Sequence, residues 1–110
     1  MASYRFSQAV NLLNQSVTTD TFSKALGIQT VSLAAFNITF DASISCDFKV
    51  FGSVDGITFA DMDIPIGPAA GVAGSRIVNL SDMAVGWLKI KCVFTSGPGV
   101  VSVTACTKTG

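Results

Sequence analysis

Ala42-Ser43-Ile44-Ser45-Cys46-Asp47-Phe48-Lys49-Val50 alternates without a break, with Ala42, Ile44, Cys46, Phe48 and Val50 in one phase and Ser43, Ser45, Asp47 and Lys49 in the other. Successive side chains of a strand point to opposite faces, so this run reads as a half-buried antiparallel strand, apolar inside and wet outside. The same period extends outward in both directions. Upstream, Ala34, Phe36, Ile38 and Phe40 share a face with Asn37 and Thr39 opposite, and a turn follows at Asp41. Downstream, Ser53-Val54-Asp55-Gly56 punctuates the pattern; Asp-Gly between β-rich runs predicts a tight hairpin, because glycine supplies the positive φ it needs. A strand over Ile57–Ile64 is expected next. Later, Leu88, Ile90, Cys92 and Phe94 alternate with Lys89 and Lys91, a turn is predicted at Thr95-Ser96-Gly97-Pro98-Gly99, and Val100–Thr107 closes the chain with Val101, Val103 and Ala105 inward.

The remaining segments fit around these. Arg76–Leu80 reads as a short strand before a Ser81-Asp82 turn, and Ser16–Thr30 is β-rich enough for one or two strands. Residues 1–15 read as an N-terminal arm, with Ala9–Asn14 a short helix or irregular. Pro65-Ile66-Gly67-Pro68-Ala69-Ala70-Gly71-Val72-Ala73-Gly74-Ser75 is an apolar loop punctuated by glycine and proline. Short strands with regular turn signals predict an all-β chain: a single antiparallel β-sandwich of about seven to nine strands, in one domain over residues 1–110.

Composition narrows the chemistry. Seven Lys+Arg balance seven Asp+Glu in 110 residues, and only 13% of residues are charged, against about 25% in ordinary soluble domains. Zero net charge argues against nucleic acid, whose binding rests on neutralising phosphates. All the acids are Asp, a residue that favours turns over helix interiors. With no histidine there is no Ser–His–Asp or Cys–His catalysis and no histidine-containing zinc site; with no Gly-rich phosphate loop either, an enzyme is not expected, and no cofactor. Cys46, Cys92 and Cys106 form no metal or redox motif. The first two fall in phase with the core as small hydrophobes, and Cys106 falls on the opposite phase, facing outward or into a subunit interface. No uncharged stretch is long and apolar enough for a membrane helix, and the first residues lack a signal-peptide core, so synthesis in the cytoplasm is expected.

The segment Phe48-Lys49-Val50-Phe51-Gly52-Ser53-Val54-Asp55-Gly56-Ile57-Thr58-Phe59-Ala60-Asp61-Met62 resembles the strand and Ser-x-Asp-Gly-x-x-aromatic hairpin of small bacteriophage and prophage virion structural proteins with a discoidin-like (coagulation factor 5/8 C-type-like) β-sandwich. Leu88–Ala105 looks like the final hairpin of that group, and Asn37–Phe40 suits the strand that opens the pattern; the resemblance covers roughly residues 30–108. The aromatic after the turn is usually Trp in the group and is Phe59 here. The resemblance implies a jelly-roll or discoidin-like sandwich in a coat, spike, decoration or tail subunit, located in the virion.

Candidate site residues follow from two readings. A subunit that works through contacts with itself and other virion proteins would use Phe51 and Trp87, which are off the core phase, and Ile66, Pro68 and Val72 of the apolar loop. A carbohydrate-binding module for a host-surface glycan would instead use Asp55, Phe59, Asp61 and Trp87. The pair Asp61 and Asp63 could share a hard cation on one strand face, but no further ligand is identifiable, and no metal is expected.

Overall fold

The structure, a computed structural model, describes residues 5–6, 9–28, 33–81 and 84–109. Its strands are β1 (Arg5–Phe6), β2 (Val10–Val17), β3 (Thr21–Phe22), β4 (Leu26–Gly27), β5 (Leu33–Phe40), β6 (Ser45–Ser53), β7 (Ala60–Asp61), β8 (Ala69–Ala70), β9 (Gly74–Ser81), β10 (Trp87–Ser96) and β11 (Gly99–Thr109). All pairings are antiparallel, in two sheets. Sheet A runs β1-β11-β5-β9 with β2 also on β11, and sheet B runs β3-β10-β6-β7 with β4 also on β10 and β8 also on β6. The paired fragments β1/β2, β3/β4 and β7/β8 each share one flank of a longer strand, so each sheet is four strands wide. Counted that way, the chain visits the sheets in the order A, B, A, B, B, A, B, A. That is the strand order of a jelly roll, two interlocked Greek keys.

The alternation read from the sequence builds the core. Phe36 and Ile38 of β5, Val50 of β6, Leu88, Ile90 and Cys92 of β10, and Val101 and Val103 of β11 are fully buried between the sheets. Each large aliphatic among them contributes about 1.5–3 kcal/mol by leaving water. Cys46 is buried beside Cys92 on the adjoining strand; the hydrogen bond that the Cys92 thiol donates to that neighbour, and then burial, push its pKa far up, so it stays a protonated hydrophobe. Cys106 is half-exposed, on the opposite phase as expected.

Asp side chains close the connections. Asp41 accepts the N–H of Ser43 at 2.9 Å and of Val100 at 2.9 Å, tying the β5–β6 turn to the start of β11. Asp20 accepts the Phe94 N–H at 2.8 Å. A short carboxylate reaches nearby backbone N–H groups that a Glu would overshoot, which is the physical reason an all-Asp acid set suits a loop-rich sandwich. At Gly99 the space is already taken: an added Cβ would stand 2.5 Å from Asp41 Oδ1 and 2.6 Å from Ile44 Cβ.

Four expectations need correction. Ala9–Asn14 is neither helix nor irregular arm: Val10–Val17 is a full strand paired with β11, and Arg5–Phe6 also pairs there. Its register shifts where β11 passes from Val103 to Thr104, which lets adjacent Leu12 and Leu13 both be buried and breaks the period of two that would have announced a strand. The strand expected over Ile57–Ile64 shrinks to Ala60–Asp61. The apolar loop over 65–75 holds a two-residue strand, Ala69–Ala70, and β9 already starts at Gly74. The Ser81-Asp82 turn lies partly outside the described residues. The final turn is tighter than predicted, since only Gly97 and Pro98, joined by a cis peptide, separate β10 from β11.

Candidate interaction faces

The outer face of sheet B collects the charges and exposed rings. On β10 the outward residues Lys89 and Lys91 stand directly across from Phe51 and Lys49 of β6, and Lys91 also faces Phe22 of β3. Phe22 and Phe51 meet edge to face at 5.2 Å between centroids. Lys89 Nζ lies 4.2 Å from the Phe22 ring centroid and 4.1 Å from that of Phe59, so the ammonium is held between two rings. Lys91 Nζ lies farther out, 5.3 Å from Phe22 and 5.7 Å from Phe51. Such contacts stabilise by about 0.5–1 kcal/mol each at exposed sites. Like charges directly opposite repel, and the Lys49–Lys91 pair is offset by Asp61, whose carboxylate meets Lys49 Nζ at 3.2 Å. The Asp63 N–H and then Lys49 hold the Asp61 carboxyl below its ordinary pKa. Asp63 itself lies beyond β7 in the left-handed region, at φ 57°.

At the Ser53 end of β6 the Ser-x-Asp-Gly motif forms a self-bonded loop rather than a two-residue turn. Asp55 Oδ1 accepts the N–H groups of Ile57 at 2.8 Å and Thr58 at 2.9 Å and the hydroxyl of Ser53 at 2.9 Å. Ser53 Oγ in turn accepts the Gly56 N–H at 2.8 Å. The Thr58 and Ile57 N–H groups, then the Ser53 hydroxyl, hold the Asp55 carboxyl below the usual carboxylate range. Gly56 has φ 79°, and a Cβ there would sit 3.1 Å from the Trp87 ring, so the indole lies against the bare backbone of the loop. Trp87 is thus half-buried, fixing the end of the sandwich.

The structure regroups the two sets of sequence candidates. Phe51, Phe59 and Asp61 share the outer face of sheet B, while Asp55 and Trp87 hold the adjoining loop. Ile66, Pro68 and Val72 belong to the connection that follows β7. Ile66 is half-buried against the core, whereas Pro68 and Val72 are exposed. The Asp55 loop leaves β6 at Ser53, while the 71–73 bend follows β8, paired at Ser45 and Cys46, so the two apolar tips sit at opposite ends of β6. Sequence reading missed Phe22, Lys89 and Lys91 as part of the ring cluster, because only the register of β3 on β10 brings them together.

The outer face of sheet A is built differently. Asn11 and Asn14 of β2, Ser102 and Thr104 of β11, and Asn37 and Thr39 of β5 occupy the outward phase, and Ser75, Ile77 and Asn79 continue it on β9. None of these is charged. Arg76, on the inward phase of β9, turns its guanidinium back into the molecule: it donates to the carbonyls of Gly67 at 3.2 Å, Pro68 at 3.1 Å and Ser75 at 2.9 Å and lies 5.2 Å over Phe40. The bonds to Gly67 and Pro68 clamp the connection after β7 onto β9.

No family model matches this chain, and no curated protein matches it by sequence. Among solved structures it is similar to the crystal structure of the SPBc2 prophage-derived protein YomS, with a TM-score of 0.68 over 99% of this chain and 97% of that one at 10% sequence identity. At that identity the likeness is one of fold, and it extends over the whole sandwich of both chains.

Proposed function

We propose that this chain is a non-enzymatic structural subunit of a bacteriophage-type virion, a coat, spike, decoration or tail component that acts by packing against copies of itself and other particle proteins. The observation that carries this reading is the outer face of sheet A, whose middle rows, from Asn11 and Asn14 through Ser102, Thr104, Asn37 and Thr39 to Ser75 and Ile77, present amides, hydroxyls and one isoleucine without a charge; the one basic residue in that phase among the described residues, Lys108, stands at the Leu33 end. A free monomer gains solubility from scattered surface charge, whereas a face that packs against another subunit must shed it, since a buried unpaired charge is costly. The fold likeness to a prophage-derived protein and the use of jelly rolls in viral capsids support the reading by analogy. The Ser53-Val54-Asp55-Gly56 hairpin supports the narrower discoidin-like kinship.

The glycan-binding alternative draws less support. Asp55 spends its carboxylate on its own loop, and one face of the Trp87 indole is taken by Gly56. The deciding experiment is light scattering over a concentration series with negative-stain microscopy of the same sample. Defined oligomers or ordered particles are expected; a strict monomer at millimolar concentration that also fails to bind capsids or tails overturns the proposal.

A further inference from the structure

We infer that β9 is a self-pairing edge, along which two copies of this chain join antiparallel about Ile77 into one continuous sheet; this rests on the self-association proposed above and names its surface. Edge strands expose unpaired N–H and C=O groups that template further pairing, and proteins ordinarily blunt them with short strands, bulges, prolines or charge. Both edges of sheet B are blunted in the first way, being cut into the two-residue strands β3, β4, β7 and β8. The β2 edge of sheet A carries a register shift. Of these guards β9 has only a single charge, Arg76, whose guanidinium is tied to the Gly67 and Pro68 carbonyls: the strand runs eight residues without a bulge or proline, pairs with β5 over its whole length, and among the described residues has no strand on its other side. A cleft of about 280 Å³ lies between Arg76–Asn79 and the Ile64–Gly67 segment.

The sequence of β9 is compatible with its own reversed copy. Directly opposite residues of an antiparallel pair share a face. A two-fold axis at Ile77 then sets Ile77 against Ile77, Ser75 against Asn79 and Gly74 against Leu80. The one charge, Arg76, falls across from Val78 rather than from its own equivalent, and its guanidinium is already held by the Gly67, Ser75 and Pro68 carbonyls. Ile77, 69% exposed in the single chain, would be covered by its twin. A closed two-fold pairing of this kind is isologous and stops at two copies, leaving the uncharged face of sheet A on both subunits for the larger particle.

The test compares wild type with Ile77→Lys and with Ile57→Lys, which puts the same charge on another exposed isoleucine, in the Asp55 loop. Sedimentation equilibrium of wild type is expected to give a dimer; Ile77→Lys, folded by circular dichroism, should weaken its dissociation constant at least about tenfold because like charges then face each other across the axis. Ile57→Lys should leave it unchanged. Hydrogen exchange on wild type supplies a readout free of mutation, with the β9 amides slowing as concentration rises. If wild type self-associates while Ile77→Lys does so equally, or while exchange slows elsewhere than β9, the edge assignment fails and the virion reading survives. If wild type and capsid or tail mixtures remain unassociated, both fall.

Discussion

The two outer faces of this sandwich are made from the same backbone geometry and opposite chemistry. Sheet B spends Lys49, Lys89 and Lys91 on one face, steadies them with Phe22, Phe51, Phe59 and Asp61, and ends in clipped edges. The middle of sheet A presents amides and hydroxyls, with β9 as a long open edge. The low charge of the chain is therefore an allocation. Cations cluster where rings and a carboxylate already hold them, and the middle rows of the face beside the open edge carry none. On the function proposed above, sheet B is the water-facing side and sheet A the side that packs against protein, and each prediction below either breaks that contrast or sharpens it.

The largest effect is expected where sheet B meets its loop. Trp87→Ala removes the ring that covers Gly56 and should destabilise the fold by about 2–3 kcal/mol in urea titration, the scale of losing a large, half-buried aromatic. A loss under about 0.5 kcal/mol would mean that Trp87 is spare, free for a ligand or partner. Next comes Phe22→Ala, which deletes the edge-to-face partner of Phe51 and one wall of the Lys89 slot, at a cost of about 1 kcal/mol. The same truncation at Thr39, on the outer face of sheet A, should change stability by less than about 0.5 kcal/mol. Equal losses at Phe22 and Thr39 would erase the distinction between the faces.

How far the sequence revealed this contrast depends on the range of the interactions involved. β5, β6, β10 and β11 were legible because their inward residues, from Phe36 to Val103, obey a local period of two that burial enforces. β2 was not, because its bulge places Leu12 and Leu13 side by side in the core, and Asn-Leu-Leu-Asn locally mimics a helical face. The hairpin after β6 was located correctly but mis-sized: Asp55 and Ser53 bind the loop's own N–H groups, holding it open to Phe59 where a bare Asp-Gly turn would have closed at once. For the candidate faces the limit is non-local. Phe51, Phe59 and Trp87 carried a signal as off-phase or loop aromatics, but Phe22 joins them only through the register of a two-residue strand, which no local pattern encodes.

The Asp-held connections give a pH test. Asp41 is held below its ordinary pKa by the Val100 and Ser43 N–H groups, Asp55 by those of Thr58 and Ile57, and Asp61 by that of Asp63 and then by Lys49. A carboxyl whose folded pKa lies below its unfolded value binds fewer protons in the native state. The stabilisation it supplies is complete above the unfolded value of about 4 and is lost as pH falls through the depressed folded value. The urea midpoint should accordingly be flat from neutrality to about pH 5 and drop below about pH 4. Asp55→Asn, which cannot ionise, should lower the midpoint at pH 7 and make the acid drop shallower. An unchanged acid slope would show that these carboxylates are satisfied equally well in the unfolded chain. Since Asp55 and Asp61 serve sheet B and its loop, acid should loosen that side first, visible as earlier hydrogen exchange in residues 54–61 than in β11.

The smallest effect on folding, and the sharpest on assembly, is expected from Asn37→Lys. Asn37 is exposed at the middle of β5, across from Thr104 on one side and Ile77 on the other, so a lysine there meets no buried surface. Stability should move by less than about 0.5 kcal/mol. Its side chain stands perpendicular to the sheet, whereas pairing through β9 lies in the plane of the sheet. A dimer joined at Ile77 should therefore persist in sedimentation with its dissociation constant nearly unchanged, while any larger assembly that stacks on the uncharged face should be lost, because a desolvated lysine without a carboxylate opposite is costly. If Asn37→Lys instead splits the dimer, the copies meet face to face and the β9 edge is not their seam. If it leaves large assemblies intact, the plain face of sheet A is solvent-facing after all, and its lack of charge needs a cause other than contact.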